Sequence, residues 1–151
     1  MVDLKMRKNV YGFLTILWMV VIFWFSAQDA DESSQMSMGI GEAVGQVFVE
    51  DYDEWSPEQQ LSFIDSIEHP IRKAAHALEY SLLGFLLMGA VSGRKGTSAL
   101  IGILYAAGDE FHQLFVPGRS GQITDVLIDS VGVMFGILIF CIYRRIICEK
   151  R

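Results

Sequence analysis

Apolar residues along this chain are concentrated in four blocks, separated by two short polar segments and one long one. The blocks cover about residues 10–27, 71–91, 97–116 and 124–143. Each has close to the ~20 residues that an α-helix needs to cross the hydrocarbon of a bilayer. The pattern therefore predicts an all-α fold, a four-helix transmembrane bundle formed by one domain over residues 1–151.

The first block has two interpretations, because basic residues precede a signal peptide as well as a membrane helix. Lys5, Arg7 and Lys8 stand before it. Bulky Trp24 and Phe25, however, occupy the positions where signal cleavage requires small residues. We therefore predict an uncleaved first transmembrane helix.

The Lys and Arg residues predict how the chain crosses the membrane. With the N-terminus in the cytoplasm, only Arg72, Lys73 and Arg119 of the 12 basic residues lie outside. The others are at the two chain ends and in the loop that holds Arg94 and Lys95. Because cytoplasmic loops carry the excess of Lys and Arg, we predict a multi-pass protein with both termini in the cytoplasm.

The long polar segment, residues 28–70, is then extracytoplasmic, and it is acidic. Eleven of the 18 Asp and Glu residues lie between Asp29 and Glu68. Near-helical apolar spacing and the helix-start signal Ser56-Pro57-Glu58-Gln59 predict two short amphipathic helices. Their apolar stripes are Met36, Ile40, Val44, Val47 and Phe48 in one, and Leu61, Ile64 and Ile67 in the other. Without Lys or Arg to bind anionic lipid, they are expected to cap the bundle.

The composition agrees with a membrane protein and removes one class of partner. Hydrophobic residues make up 52% of the chain, and the formal net charge is −6. No basic patch with interleaved aromatic residues occurs, so nucleic acid is not an expected partner. A homo-oligomer remains compatible with the sequence.

Ionisable residues fall inside three of the four apolar blocks, where a charge costs roughly 3 kcal/mol at the centre of a membrane. Under the predicted topology all of them lie toward the outer end of their helices. Residues three or four apart share a helix face, so these groups can meet inside the bundle. The pair Gly132 and Gly136 would let a second helix approach the last one closely. We therefore expect one polar site near the outer face.

Three chemical roles are open to the residues of such a site. The candidate catalytic acid–base residues are Glu79, Asp109 and His112. The candidate substrate-binding residues are Arg72, Lys73, His76, Tyr80, Gln113, Arg119, Asp125 and Asp129. Carboxylates with histidine, including neighbouring Glu110, also suit a divalent cation, although their spacing is not diagnostic of one metal.

Three segments of the chain resemble the VanZ-like family of bacterial membrane proteins. They are Phe25-Ser26-Ala27-Gln28, then residues 72–80 (RKAAHALEY), and residues 105–132, whose DE-x-x-Q-x-F-x-PGR-x5-D pattern is long and specific. Asp129 stands where the resemblance leads us to expect Asn. The resemblance implies a small multi-helix protein of the bacterial cytoplasmic membrane and cell envelope. The family takes its name from a protein associated with resistance to teicoplanin-type glycopeptide antibiotics.

Two functions follow from the buried polar site and this resemblance. The first is non-catalytic: the protein binds or remodels a membrane lipid or lipid-linked cell-wall precursor at the outer leaflet, and thereby contributes to antibiotic resistance. The second is a membrane-embedded hydrolase or transferase acting on a lipid-linked phosphate substrate through a Glu/Asp/His site. Transport is disfavoured, because the charges are confined to one half and no broken helix forms a midplane site.

Overall fold

The structure, a computed structural model, describes residues 4–149 and is all-helical over that range. Its five α-helices are α1 (Leu4–Ser26), α2 (Ala30–Phe48), α3 (Pro57–Ala90), α4 (Lys95–Gln113) and α5 (Ile123–Glu149). A short 3-10 turn, Tyr52–Glu54, lies between α2 and α3. Of the basic residues predicted to be cytoplasmic, Lys150 and Arg151 lie outside the described residues.

Two of the helices in the described range are long and apolar enough to cross a membrane. They are Lys5–Ser26 in α1, with a mean hydropathy of 1.7, and Ile123–Ile147 in α5, with 2.3. Large apolar side chains are exposed along both, among them Phe13 and Leu138. The apolar stretches of α3 and α4 carry charged side chains and do not meet the same criterion. The four-span bundle therefore stays a prediction.

Helix α3 is the centre of the molecule and contacts each of the other four helices. The buried core joins its side chains Tyr80, Leu83 and Leu87 to Val133 and Ile137 of α5. Glycines make this contact tight. A Cβ at Gly132 or Gly136 would overlap the carbonyl oxygens of Ala77 and Ser81 in α3, so the predicted close approach of a helix at these two glycines is confirmed.

The predicted start of a helix at Ser56 is confirmed, but that helix does not end before the membrane block. Ser56 and Gln59 form a reciprocal capping box with Pro57 in the first turn. The helix then continues for 34 residues, through Pro70, to Ala90. The expected short helix and the expected second transmembrane helix are therefore one element, about 51 Å long at 1.5 Å per residue.

The bonds around Pro70 explain why the helix continues. Proline lacks the N–H that would bond the carbonyl four residues earlier, so it disfavours the interior of a helix. Side chains span the gap: Arg72 pairs with Glu68 one turn back. The Ser34 hydroxyl of α2 donates to Glu68 (2.8 Å) and accepts from Arg72 (3.2 Å). Contacts from a neighbouring helix thus hold both sides of the proline together.

Helix α2 forms as predicted, but its small residues make the packing face. Asp29 caps it by accepting from the backbone N–H of Glu32 at 2.8 Å. Ser37, Gly41 and Gly45 are buried, and Gly41 and Gly45 leave room for the side chains of Ile64 and Tyr52. The apolar stripe that includes Met36, Ile40 and Phe48 is exposed instead. The small residues form the packing face because they let two helix backbones come close.

Candidate functional site

Polar side chains from four elements meet at one end of the bundle, where α1 ends, α4 ends and α5 begins. Helix α3 passes this level at about residues 69–80, and the 114–122 segment closes the end. Seven of the predicted site residues line one cavity of about 90 Å³ there, which we call the polar cavity. They are Arg72, Lys73, His76, Gln113, Arg119, Asp125 and Asp129.

A second cavity, of about 80 Å³, lies beside the first between α1, α2 and α3. We call it the apolar cavity, because Phe25, Met36, Ile40, Ile71 and Ala75 contribute to its wall. Glu79 lines it as well. Three residues, Arg72, His76 and Arg119, line both cavities, so the two spaces share one charged wall.

Pro117 and Gly118, residue types that favour turns, form the turn that carries Arg119. Gly118 has a φ of 71°, a left-handed conformation that glycine adopts without strain. The Arg119 N–H donates to the Val116 carbonyl at 3.1 Å, and the Pro117 carbonyl accepts from the N–H of Ala30 at 3.3 Å. These bonds dock the turn against the α1–α2 corner.

The guanidinium of Arg119 caps the end of α1. Its Nε donates to the Gln28 carbonyl at 3.2 Å and its Nη2 to the Phe25 carbonyl at 3.4 Å. A cation here favours the negative end of the helix dipole. Burial lowers the pKa of Arg119, and nearby Arg72 acts in the same direction. Arginine nevertheless stays protonated in proteins, so the cavity wall remains positive.

The other two cations of the polar cavity have acidic partners. Lys73 pairs with Asp125 at 2.9 Å, which joins α3 to the first turn of α5. Arg72 pairs with Glu68 but keeps a buried Nε that has no hydrogen-bond partner. His76 likewise has a buried Nδ1 without a partner. Arg72 and His76 are therefore the groups on the shared wall with unused hydrogen-bonding capacity.

Asp109 lies deeper, on α4, with only 4% of its surface exposed. Its carboxylate faces Ser26, Tyr80 and Gln113, yet neither oxygen has a partner in hydrogen-bond geometry. The Gln113 amide donates instead to the Ser26 hydroxyl at 3.1 Å. His76 is close enough to interact electrostatically with Asp109. A carboxylate and a histidine thus lie within electrostatic range of each other, with the carboxylate behind the cavity wall.

Asp129 and Tyr80 are buried completely, on facing helices α5 and α3, with 0% exposure. Both carboxylate oxygens of Asp129 and the hydroxyl of Tyr80 lack partners. Tyr80 interacts electrostatically with Asp129 and with Asp109. The inner side of the site is therefore rich in acidic oxygens, while the outer side is rich in cations.

Two acidic residues give the site much of its shape. Glu110 is buried, and its Oε2 accepts from the backbone N–H of Gln122 at 2.9 Å, which fixes the segment leading into α5. Glu68 belongs to the acidic segment predicted to be extracytoplasmic, and it pairs with Arg72 and with Ser34. Its position one turn before Arg72 on a helix was the signal that could have identified it.

His112 lies apart from the two cavities. Its ring packs against Phe23 of α1, with ring centroids 4.6 Å apart, and it lines neither space. The structure therefore brings His76, rather than His112, next to the acidic residues. Among residues 4–149, no three or more His, Cys, Asp or Glu side chains are arranged to hold a metal ion.

Comparison with known proteins identifies one family. The VanZ/LLP1 family model matches residues 11–144, nearly the whole chain, which confirms the resemblance found in the sequence. Neither the curated proteins nor the solved structures give a match.

Proposed function

Because this chain belongs to the VanZ/LLP1 family, we propose that it is a cell-envelope protein of the bacterial cytoplasmic membrane that binds an anionic lipid or lipid-linked cell-wall precursor. The chain crosses the membrane four times, through α1, the second half of α3, α4 and α5. Both termini are cytoplasmic, and the polar cavity opens at the outer leaflet. A contribution to glycopeptide resistance would follow from binding a precursor there.

One observation carries the proposal: Arg72 and His76 have buried nitrogens without partners, and both line a polar cavity that also holds Arg119. A buried polar atom without a partner costs about 1–3 kcal/mol. Phosphate oxygens would satisfy the Arg72 Nε, and would satisfy His76 Nδ1 in the tautomer that places the proton there. Arginine suits this role because its planar group binds phosphate with two hydrogen bonds.

A second function, a hydrolase or transferase acting on the same class of substrate, is favoured by a different observation. Asp109 is buried without a hydrogen-bond partner and interacts with His76, which lines the cavity. Histidine beside a carboxylate is a common arrangement for general acid–base catalysis. Glu79 lines the adjoining cavity and is a further acid candidate. In this function His76 takes the acid–base role that was predicted for His112.

Lipids that copurify with the full-length protein test both functions. We expect Arg72→Gln to reduce the bound anionic lipid at least fivefold in mass spectra of the purified protein, because it removes the free guanidinium nitrogen. Glu68→Gln is the matched control, since it breaks the same ion pair but keeps the guanidinium. Arg94→Gln, at the opposite end of the bundle, controls for charge. Equal lipid in Arg72→Gln and wild type would overturn the binding proposal.

The same samples distinguish binding from catalysis. An enzyme would release a product from the bound lipid during incubation, and His76→Asn and Asp109→Asn would stop the release while lipid stays bound. His112→Ala serves as the control histidine variant, because its ring packs on Phe23 away from both cavities. Lipid recovered unchanged from the wild-type protein would reject the hydrolase function, whose co-substrate, water, is present, and leave the binding function.

A further inference from the structure

The two cavities differ in chemistry but are adjacent. The polar cavity is lined by charged and amide side chains from α3, α5 and the 114–122 segment. The apolar cavity adds the apolar side chains of Phe25, Met36, Ile40 and Ile71, and Gln28, Ser33, Ser37 and Glu79 also line it. Arg72 and Arg119 line both cavities. A ligand bound by these two cations can therefore extend into either cavity.

The apolar cavity exists because of how α2 packs. Ser37 and Gly41 are buried, with Gly41 against Ile64 of α3, and this arrangement turns Met36 and Ile40 away from the core. Each of those two side chains is 48% exposed while lining the cavity. The mouth of the cavity is therefore apolar and accessible. Exposure of this apolar surface to water is unfavourable, whereas contact with a lipid chain would bury it.

Trp24 indicates that this mouth lies near the interface between the membrane and water. It follows the most apolar part of α1, is 58% exposed and stacks edge-on with Phe25, a cavity residue. Exposed tryptophans collect where hydrocarbon meets the head groups. The charged wall and the apolar mouth thus lie at the depth where a lipid changes from head group to chain.

Size limits what the apolar cavity can hold. Its volume is about 80 Å³, whereas one water needs roughly 10–15 Å³ by the same measure. The space is large enough for a few methylene groups of one chain. The polar cavity, at about 90 Å³, is comparable and takes a small head group.

We infer that the two cavities form one site for a phosphate-bearing amphiphile, with one acyl chain entering between α1, α2 and α3. The phosphate contacts Arg72, His76 and Arg119, and the head group extends toward Lys73 and Asp125. This inference rests on the proposed binding function and adds the substrate class. It also gives α2 a role, as one wall of the chain site.

Three probes separate the head-group and chain contributions. We expect 1-myristoyl lysophosphatidylglycerol to bind the full-length protein in neutral detergent, as measured by native mass spectrometry. Glycerol 1-phosphate, the head-group part, and tetradecanol, the chain part, should each bind at least tenfold more weakly. Glycerol 1-phosphate binding as well as the lysolipid would overturn the two-part site while leaving the proposed function intact.

A cavity-filling variant locates the chain. Ile40→Trp should block the apolar cavity and weaken lysolipid binding at least fivefold. Val47→Trp is the matched control, because Val47 is 72% exposed on the same helix and lines neither cavity. If Ile40→Trp binds like wild type while Arg72→Gln does not, the chain site is wrong and the head-group site stands. If neither variant changes binding, both proposals are wrong.

Discussion

Asp129 is the residue whose cost of burial is least compensated by hydrogen bonds or ion pairs in the folded structure. Its side chain is fully buried and both oxygens lack partners. By contrast, Asp125, one turn earlier on α5, has Lys73 at 2.9 Å. An unpaired buried carboxylate is expensive in a low-dielectric interior. Such a residue lowers stability unless a proton or a ligand compensates it.

Replacing Asp129 with asparagine should therefore stabilise the protein. Asn has nearly the same shape but no charge, and the relief of about 1–3 kcal/mol should raise the Tm by several degrees. Thermal unfolding of the purified variant in detergent measures this. Asp125→Asn is the comparison and should leave the Tm unchanged or lower it, because it removes an ion pair. A lower Tm for Asp129→Asn would show that the carboxylate has a stabilising partner.

Among the elements, α3 combines two different environments in one helix. Its second half packs against α1, α4 and α5, and its first half packs against α2. Pro70 lies between the halves. The Ser34 hydroxyl contacts Glu68 on one side and Arg72 on the other. This contact stabilises the junction and positions Arg72 at the shared cavity wall.

Loss of that hydroxyl should loosen the junction. Ser34→Ala removes two half-buried hydrogen bonds, each contributing about 0.5–1.5 kcal/mol. We expect faster amide hydrogen exchange over residues 66–72 and a moderate loss of lipid binding through Arg72. Ser62→Ala, an exposed serine on α3, is the control and should exchange like wild type. Equal exchange in both variants would contradict the role of Ser34.

The whole molecule has a strongly asymmetric distribution of polar groups. Both cavities and the pairs that surround them lie at the end where α1 finishes and α5 begins. The segment from Asp29 to Glu68, which includes α2 and the first half of α3, extends from that end and carries 11 of the 18 acidic residues. At the other end, Arg94 and Lys95 lie at the start of α4. Under the proposed topology, this charge difference orients the bundle.

Cysteine labelling tests this topology for the whole chain. In a Cys141→Ser, Cys148→Ser background, Ser62→Cys should react with a membrane-impermeant maleimide in intact cells. Thr97→Cys, beside Lys95 at the start of α4, should react only after the membrane is permeabilised. Both positions are exposed, so accessibility depends on the membrane alone. Reaction of both cysteines in intact cells would contradict the four-span arrangement.

The sequence by itself determined features that depend on local chemistry. The helix start at Ser56 follows from a capping box, and the turn at Gly118 from the conformations open to Pro and Gly. The close approach at Gly132 follows from the absence of a side chain. Family membership followed from residues that stand near one another in the chain. Each of these features depends on the conformation or size of one residue or of a few neighbouring residues, so the linear pattern contains it.

Only the tertiary structure decided which side chains meet. Pro70 lies inside one helix because Ser34, far away in the sequence, contacts residues on both sides of it. Arg119 caps α1, and His112 packs on Phe23, because α1 lies beside α4 and the following turn. Helical periodicity gives the face of a residue but not the neighbour that covers it. That neighbour depends on the packing of all the helices together.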